Sequence, residues 1–75
     1  MQKIIEILQD LIEDVDFNTE DGLIDDEIID SLDLVVLVGE LNDAFGVEIG
    51  AQHLLPENFN SAKSIDALVK KLKEG

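Results

Sequence analysis

The chain of 75 residues has no cysteine, no arginine and one histidine. Without cysteine it can form neither a disulfide framework nor a thiolate metal site, which fits a reducing compartment. Positive charge is also scarce, because the chain has five lysines and 18 acidic residues. No lysine lies between Lys3 and Lys63. Nucleic acid and anionic membranes would repel the net charge of −13, whereas a partner with a basic patch would be attracted to it.

Long hydrophobic segments are missing as well. The uncharged stretches are far shorter than the ~20 apolar residues of a membrane span, and Met1-Gln2-Lys3 leads straight into an amphipathic segment, unlike a signal peptide. We therefore expect a soluble, cytoplasmic protein without membrane insertion. The length predicts one domain over residues 1–75 with little room for a deep catalytic pocket, so we expect a binding or carrier module and no enzyme.

Two helices are predicted in the first part of the chain. The first covers roughly residues 2–15, because six apolar residues lie along one side of it: Ile4, Ile5, Leu8, Leu11, Ile12 and Val15. The second runs over about residues 31–45, and Gly46 is well placed to end it in a left-handed cap. After Gly46, the short segment 46–50 is predicted to be an extended connector that forms no sheet.

Two further helical segments are predicted in the last third of the chain. Proline at a first helical position favours a single turn over residues 56–59. The last helix should start at Asn60 or Ser61, bury one apolar side and end with lysines near its terminal carbonyls. With no internal repeat and no strand pair, the pattern predicts an all-α fold, a small antiparallel four-helix bundle with three main helices and one short helix.

A long acidic loop over residues 17–29 separates the first two helices. Residues 13–30 hold nine carboxylates and no basic residue: Glu13, Asp14, Asp16, Glu20, Asp21, Asp25, Asp26, Glu27 and Asp30. Apolar residues recur between them: Phe17, Leu23, Ile24, Ile28 and Ile29. Loops of this length are usually functional or disordered, and the regular apolar anchors favour an ordered loop.

Asp30-Ser31-Leu32-Asp33 places one hydroxyl where the acidic loop meets the second helix. Asp30 or Ser31 would cap this helix, and Asp33 in the first turn would complement the helix dipole. At 100° per residue, Leu34, Leu37, Val38, Leu41 and Phe45 form an inner stripe. The opposite side forms the outward stripe, which consists of Leu32, Val36, Gly39 and Asp43.

The outward stripe is apolar at the end that lies beside Ser31. Together with Asp33 it is predicted to contact a partner to which the hydroxyl is presented. The alternative is that Leu32 and Val36 pack under the long loop or the short third helix.

At these residues the chain resembles the acyl carrier protein family, over essentially its whole length. The similar segments are Asp30-Ser31-Leu32-Asp33, followed by Leu37 and Leu41, and Phe45-Gly46-Val47-Glu48-Ile49. In that family the serine of the Asp-Ser-Leu motif carries 4′-phosphopantetheine derived from coenzyme A. The resemblance therefore implies attachment at Ser31, flanked by Asp30 and Leu32 in the cofactor-binding site.

The resemblance further implies a monomeric carrier that holds an acyl or aminoacyl group as a thioester and presents it to partner enzymes. The partners implied are a phosphopantetheinyl transferase and a loading ligase or synthase. Asp30 would help to position magnesium and coenzyme A in the transferase, or act as a simple cap.

The cargo stays open between fatty acyl, polyketide, amino acid and D-alanine. Carriers of fatty acid synthesis usually have glycine and a small residue before the Asp-Ser pair, where this chain has Ile28-Ile29. They also usually have an acidic residue where this chain has Val36, and often a larger apolar residue where it has Gly39. The apolar residue before Asp30, together with Pro56-Glu57-Asn58-Phe59, looks more like D-alanine carriers and stand-alone peptidyl carriers.

Three other functions are weighed against the carrier. Residues 14–25 superficially copy a calcium-binding loop, but Thr19 stands where the turn needs glycine, so no metal site is expected. Hydrolysis through Ser31 would need His53 as its base, and the chain has no Gly-x-Ser-x-Gly elbow. The remaining alternative is an acidic helical module that binds a basic partner without a cofactor.

Overall fold

The computed structural model describes residues 2–13 and 15–74, and within these ranges it contains helices and no strands. The helices are α1 (Gln2–Leu11), α2 (Ser31–Phe45), a 3-10 helix (Ala51–His53), α3 (Pro56–Phe59) and α4 (Ala62–Glu74). Helix α1 packs against α2 and α4, and α3 packs against α4. The predicted bundle of three main helices and one short helix is confirmed, and the 3-10 helix is an addition to it.

Apolar side chains from every α-helix and from the acidic loop meet in one core. The largest fully buried residues are Phe17, Phe59, Ile4, Leu8, Leu23, Leu37, Leu41 and Ile65. Because Phe17 and Leu23 belong to the loop, the prediction that apolar residues anchor the loop to the core is confirmed. None of the helices formed by the described residues has the length and apolar character needed to cross a membrane.

Helix α1 ends at Leu11, so the predicted extent of residues 2–15 was too long. The N–H of Ile12 still donates to the carbonyl of Leu8 at 2.8 Å, but the chain bends there. The last turn carries no basic residue, and acidic groups such as Glu13 are unfavourable at the negative end of a helix dipole. Ile12 and Val15 nevertheless pack against the core from outside the helix; Asp14 lies outside the described residues.

The end of α2 agrees with the prediction. Gly46 is left-handed, with φ of 65°, and its N–H donates to the carbonyl of Asn42 at 2.9 Å. The Asn42 side chain also accepts the N–H of Ile49 at 3.0 Å, which draws the following connector back towards the helix. The connector has no regular structure and buries Val47 and Ile49, as an extended link between helices should.

Helix α4 begins at Ala62, just after the two starting points predicted for it. Ser61 Oγ accepts the N–H of Ser64 at 3.0 Å, and Ser64 Oγ accepts the N–H of Ser61 at 3.2 Å. This reciprocal pair resembles a capping box, so Ser61 is the cap that precedes the helix. In its second half, Lys70 forms an ion pair of 3.1 Å with Asp66, one turn earlier.

Glu27 is the one non-glycine residue with a positive φ in the described part of the chain, at 58°. We expect Glu27→Asn to raise the free energy of unfolding by about 1 kcal/mol, because asparagine tolerates the left-handed region better than glutamate does. The measurement is a pair of thermal or urea melts. Asp21→Asn, which removes an equal charge from the same loop, is the control; an equal gain there would assign the effect to charge and not to backbone strain.

Candidate functional site

Ser31 is the first residue of α2 and is exposed. The preceding Asp30 is the N-cap: its carboxylate accepts the N–H of Asp33 at 2.8 Å and its carbonyl accepts the N–H of Leu34 at 2.9 Å. Of the two predicted caps, Asp30 is thus the one used, and capping makes no demand on the Ser31 hydroxyl. The N–H groups of Ser31 and Leu32 precede the first intrahelical bond and lie at the positive end of the helix dipole.

The outward stripe points to solvent as its helical phase predicts. Leu32 is 78% exposed and Val36 is 50% exposed, and both Gly39 and Asp43 are exposed. The alternative in which Leu32 and Val36 pack under the long loop or the short third helix is therefore wrong. Asp33, assigned to the same partner surface, is half-buried. The inner stripe lies on the core side: Leu37 and Leu41 are buried, and Leu34, Val38 and Phe45 are partly buried.

Three further exposed apolar residues were not predicted. Val35 is 67% exposed and lies three residues after Leu32 on the same side of α2, so helical spacing could have identified it. Leu54 and Leu55 are exposed in the link between the 3-10 helix and α3. No periodic pattern in the sequence marks this link.

A small apolar cavity lies between the start of α2 and α3. Its volume is about 110 Å³. The residues that line it are Ile24, Leu34, Leu54, Leu55, Pro56 and Phe59. Pockets that enclose small-molecule ligands usually measure ~300–1,000 Å³, so this cavity is too small to enclose a long chain.

The acidic loop is tied to the junction between α3 and α4 through Asn60. The carbonyl of Asn60 accepts the N–H of Leu23 at 2.9 Å. Its side-chain Oδ1 accepts the N–H of Ile24 at 2.9 Å and that of Asp25 at 3.0 Å. Its Nδ2 donates to the Asp25 carboxylate at 3.1 Å. The sequence marks Asn60 only as a possible helix start, because no local pattern reveals a contact across 35 residues.

The calcium-loop alternative over residues 14–25 falls partly outside the described residues. Asp14, the first residue of that loop, is not among them. Over residues 2–13 and 15–74, no three side chains of His, Cys, Asp or Glu come together in a way that could hold a metal ion.

His53, the base that hydrolysis through Ser31 would need, is half-buried in the 3-10 helix. Its Nδ1 accepts the N–H of Gly50 at 3.1 Å, and its carbonyl accepts a bond from Asn58. Among the described residues, no hydrogen bond joins His53 to the Ser31 hydroxyl. The histidine is thus engaged in local structure and lacks the contact with Ser31 that a general base needs.

Comparison with known proteins assigns the chain to a family. None of the curated proteins matches the chain. The family model described as the phosphopantetheine attachment site matches residues 2–72, which include all five helical segments in whole or in large part. Domains of this family are carriers and are not themselves catalytic. The chain therefore belongs to the phosphopantetheine attachment site family, in which 4′-phosphopantetheine is bound covalently to the carrier domain.

Proposed function

We propose that Ser31 is the attachment residue and that the chain presents an acyl or aminoacyl group to partner enzymes. The observation that carries this proposal is the exposed hydroxyl of Ser31 at the first position of α2, where Asp30 alone supplies the cap. The other two serines of the chain, Ser61 and Ser64, are half-buried and hydrogen-bonded to each other at the start of α4. Ser31 is thus the serine that a modifying enzyme can reach.

The electrostatics at Ser31 suit a phosphodiester. The N–H groups of Ser31 and Leu32 lie at the positive end of α2, where an anion is stabilised. The neighbouring carboxylate of Asp30 accepts the N–H of Asp33, so part of its charge is compensated within the helix terminus. Asp30 is exposed, so its carboxylate is also accessible to a magnesium ion brought by the transferase.

In the transfer reaction, the Ser31 oxygen attacks the phosphorus of coenzyme A that bears pantetheine. A new oxygen–phosphorus bond forms, the pyrophosphate bond breaks, and adenosine 3′,5′-bisphosphate leaves. The transferase must supply the base that accepts the serine proton, since His53 is engaged elsewhere. Once attached, the cofactor supplies a thiol that can form a thioester, which this chain without cysteine does not have.

The outward stripe, extended by Val35, is proposed as the surface that contacts the transferase and the loading enzyme. Leu32 and Val35 are exposed and apolar and lie beside Ser31, and apolar side chains at helical spacing form typical anchors for a partner. Gly39 and Asp43 continue this surface away from Ser31. The apolar end would give contact area, whereas the negative charge of the chain would favour partners with basic residues around that contact.

We favour a small acyl or aminoacyl cargo. The apolar cavity beside the start of α2 has a volume of about 110 Å³, which does not enclose a long acyl chain. The apolar Ile29 before Asp30 and the segment Pro56-Glu57-Asn58-Phe59 support the same choice, because they resemble D-alanine and stand-alone peptidyl carriers.

The test is incubation of the apo chain with coenzyme A, magnesium and a promiscuous phosphopantetheinyl transferase. We expect the intact mass to increase by one phosphopantetheine and fragmentation of the modified peptide to place it on Ser31. No increase with several transferases would contradict the proposal and favour an acidic module that binds a basic partner without a cofactor.

A further inference from the structure

We propose that Asn60 is a positioning residue for Ser31, because its side-chain amide holds the acidic loop in the arrangement that the modifying transferase recognises. This inference rests on the proposed function of Ser31. It concerns a residue that lies outside α2 and 29 positions further along the chain.

Asn60 satisfies three consecutive N–H groups of the loop. Its carbonyl accepts the N–H of Leu23, and its Oδ1 accepts those of Ile24 and Asp25, at 2.9 to 3.0 Å. Its Nδ2 donates to the carboxylate of Asp25 at 3.1 Å, so the amide contacts both the backbone and the side chain of the same residue. A hydrogen bond to a charged acceptor is stronger than one between neutral groups.

These contacts continue to Ser31 through the backbone. The carbonyl of Leu23, whose N–H is bound to Asn60, accepts the N–H of Ile29 at 2.9 Å. Leu23 and Ile29 are both buried, and Ile29 directly precedes the cap residue Asp30. Two successive backbone hydrogen bonds therefore link Asn60 to Ile29, and the side-chain bonds of Asn60 hold the two residues that follow Leu23.

The loop needs contacts with the rest of the chain because part of its backbone adopts a conformation that is unfavourable for its residue type. Glu27 is left-handed, with φ of 58°, and a non-glycine residue persists in that region only when its surroundings hold it there. The loop also carries many acidic residues, which repel one another. Removing the side-chain contacts of Asn60 with Ile24 and Asp25 should allow the loop to adopt other arrangements while the core stays folded.

A loop that spends only part of its time in the competent arrangement weakens binding in proportion to that fraction. The transferase would bind fewer competent molecules, but the chemistry of each bound molecule would be unchanged. The expected signature is therefore a higher KM for this carrier with an unchanged kcat.

Asn60→Asp is the decisive variant. It preserves shape but sets a second carboxylate against Asp25 and removes the donor. We expect the KM of the transferase for the carrier to rise about tenfold, equivalent to about 1.4 kcal/mol, with kcat unchanged. In the double variant D25N/N60D the donor and acceptor exchange places, and the KM should return to the wild-type value. Should Asn60→Asp fail to fold, Asn60→Ser removes the amide without adding charge and carries the same test.

Asn42→Asp is the matched control. Asn42 is also half-buried and accepts a backbone N–H, that of Ile49, but it does so near the other end of α2. The substitution adds the same charge, and its KM should equal that of the wild type. In parallel, hydrogen exchange of the Ile24 and Asp25 amides should be faster in Asn60→Asp and should slow again in D25N/N60D.

Three results would overturn the inference: an unchanged KM in Asn60→Asp, an elevated KM that persists in D25N/N60D, or an equal rise in Asn42→Asp. Each of these presupposes that the wild-type chain is modified. Absence of any transfer to the wild type would overturn the proposed function of Ser31, and this inference with it, so the two failures are distinguishable.

Discussion

Ser31→Ala is expected to abolish attachment of phosphopantetheine without unfolding the domain. The complete loss follows because the variant has no side-chain hydroxyl at position 31 to form the phosphodiester, and because Ser61 and Ser64 are hydrogen-bonded to each other at the start of α4. The measurement is the intact mass of wild type and variant after the same incubation with coenzyme A and transferase.

Ser31→Ala removes the hydroxyl without removing the helix cap, because Asp30, and not Ser31, caps α2. We expect Ser31→Ala to change the free energy of unfolding by no more than about 0.5 kcal/mol, as exposed substitutions usually do. Asp30→Ala, by contrast, should cost about 1 kcal/mol because the cap is lost.

Ser61→Ala is the control for the loss of a serine hydroxyl elsewhere. It removes the acceptor for the N–H of Ser64 at the start of α4 and should cost about 1 kcal/mol of stability. Its modification should remain complete. An adduct that persists in Ser31→Ala would contradict the assignment of the attachment residue.

The helix that carries the site could be predicted because its signals are local. The spacing of Leu37 and Leu41 sets the buried side, an aspartate stands at the N-cap and Gly46 supplies the left-handed end. Each of these depends on residues within one or two turns. The phase of α2 therefore follows from the sequence alone, whereas the exposure of Leu32, which the sequence left open, follows from the structure.

The end of α1 shows where periodicity misleads. Ile12 and Val15 continue the apolar spacing of the helix, and both do pack against the core. They reach it from a non-helical segment, because acidic residues oppose a longer helix at its negative end. The spacing of apolar residues predicts which side chains are buried, but it does not by itself predict the backbone conformation of the segment that carries them.

The contacts that hold the acidic loop could not be predicted in this way. Asn60 binds Ile24 and Asp25 across more than 30 residues, and an asparagine before a helix is equally compatible with a simple cap. The pairing depends on the packing of α3 and α4 beside the loop. The ordered loop could thus be anticipated from its apolar anchors, whereas the residue that fixes its backbone could not.

Leu37→Ala and Val36→Glu should have very different effects, although the two residues are adjacent. Leu37 is fully buried, and truncating it should cost about 2 to 5 kcal/mol of stability. Val36 is 50% exposed, so glutamate there should change stability by about 0.5 kcal/mol or less. Repulsion from Glu40, one turn later, is included in that small cost. Urea or thermal melts of both variants measure the difference.

Val36→Glu should change the recognition of the carrier by its partner enzymes. A carboxylate in the middle of an apolar contact is desolvated without compensation, so the KM of an enzyme that docks on the outward stripe should rise while the carrier stays folded. Enzymes that bind an acidic residue at this position should bind the Val36→Glu carrier more tightly than the wild type. The substitution would therefore change which loading ligase or synthase recognises the carrier. If Val36→Glu instead unfolds the domain as Leu37→Ala does, Val36 contributes to the core and the outward stripe is not a free docking surface.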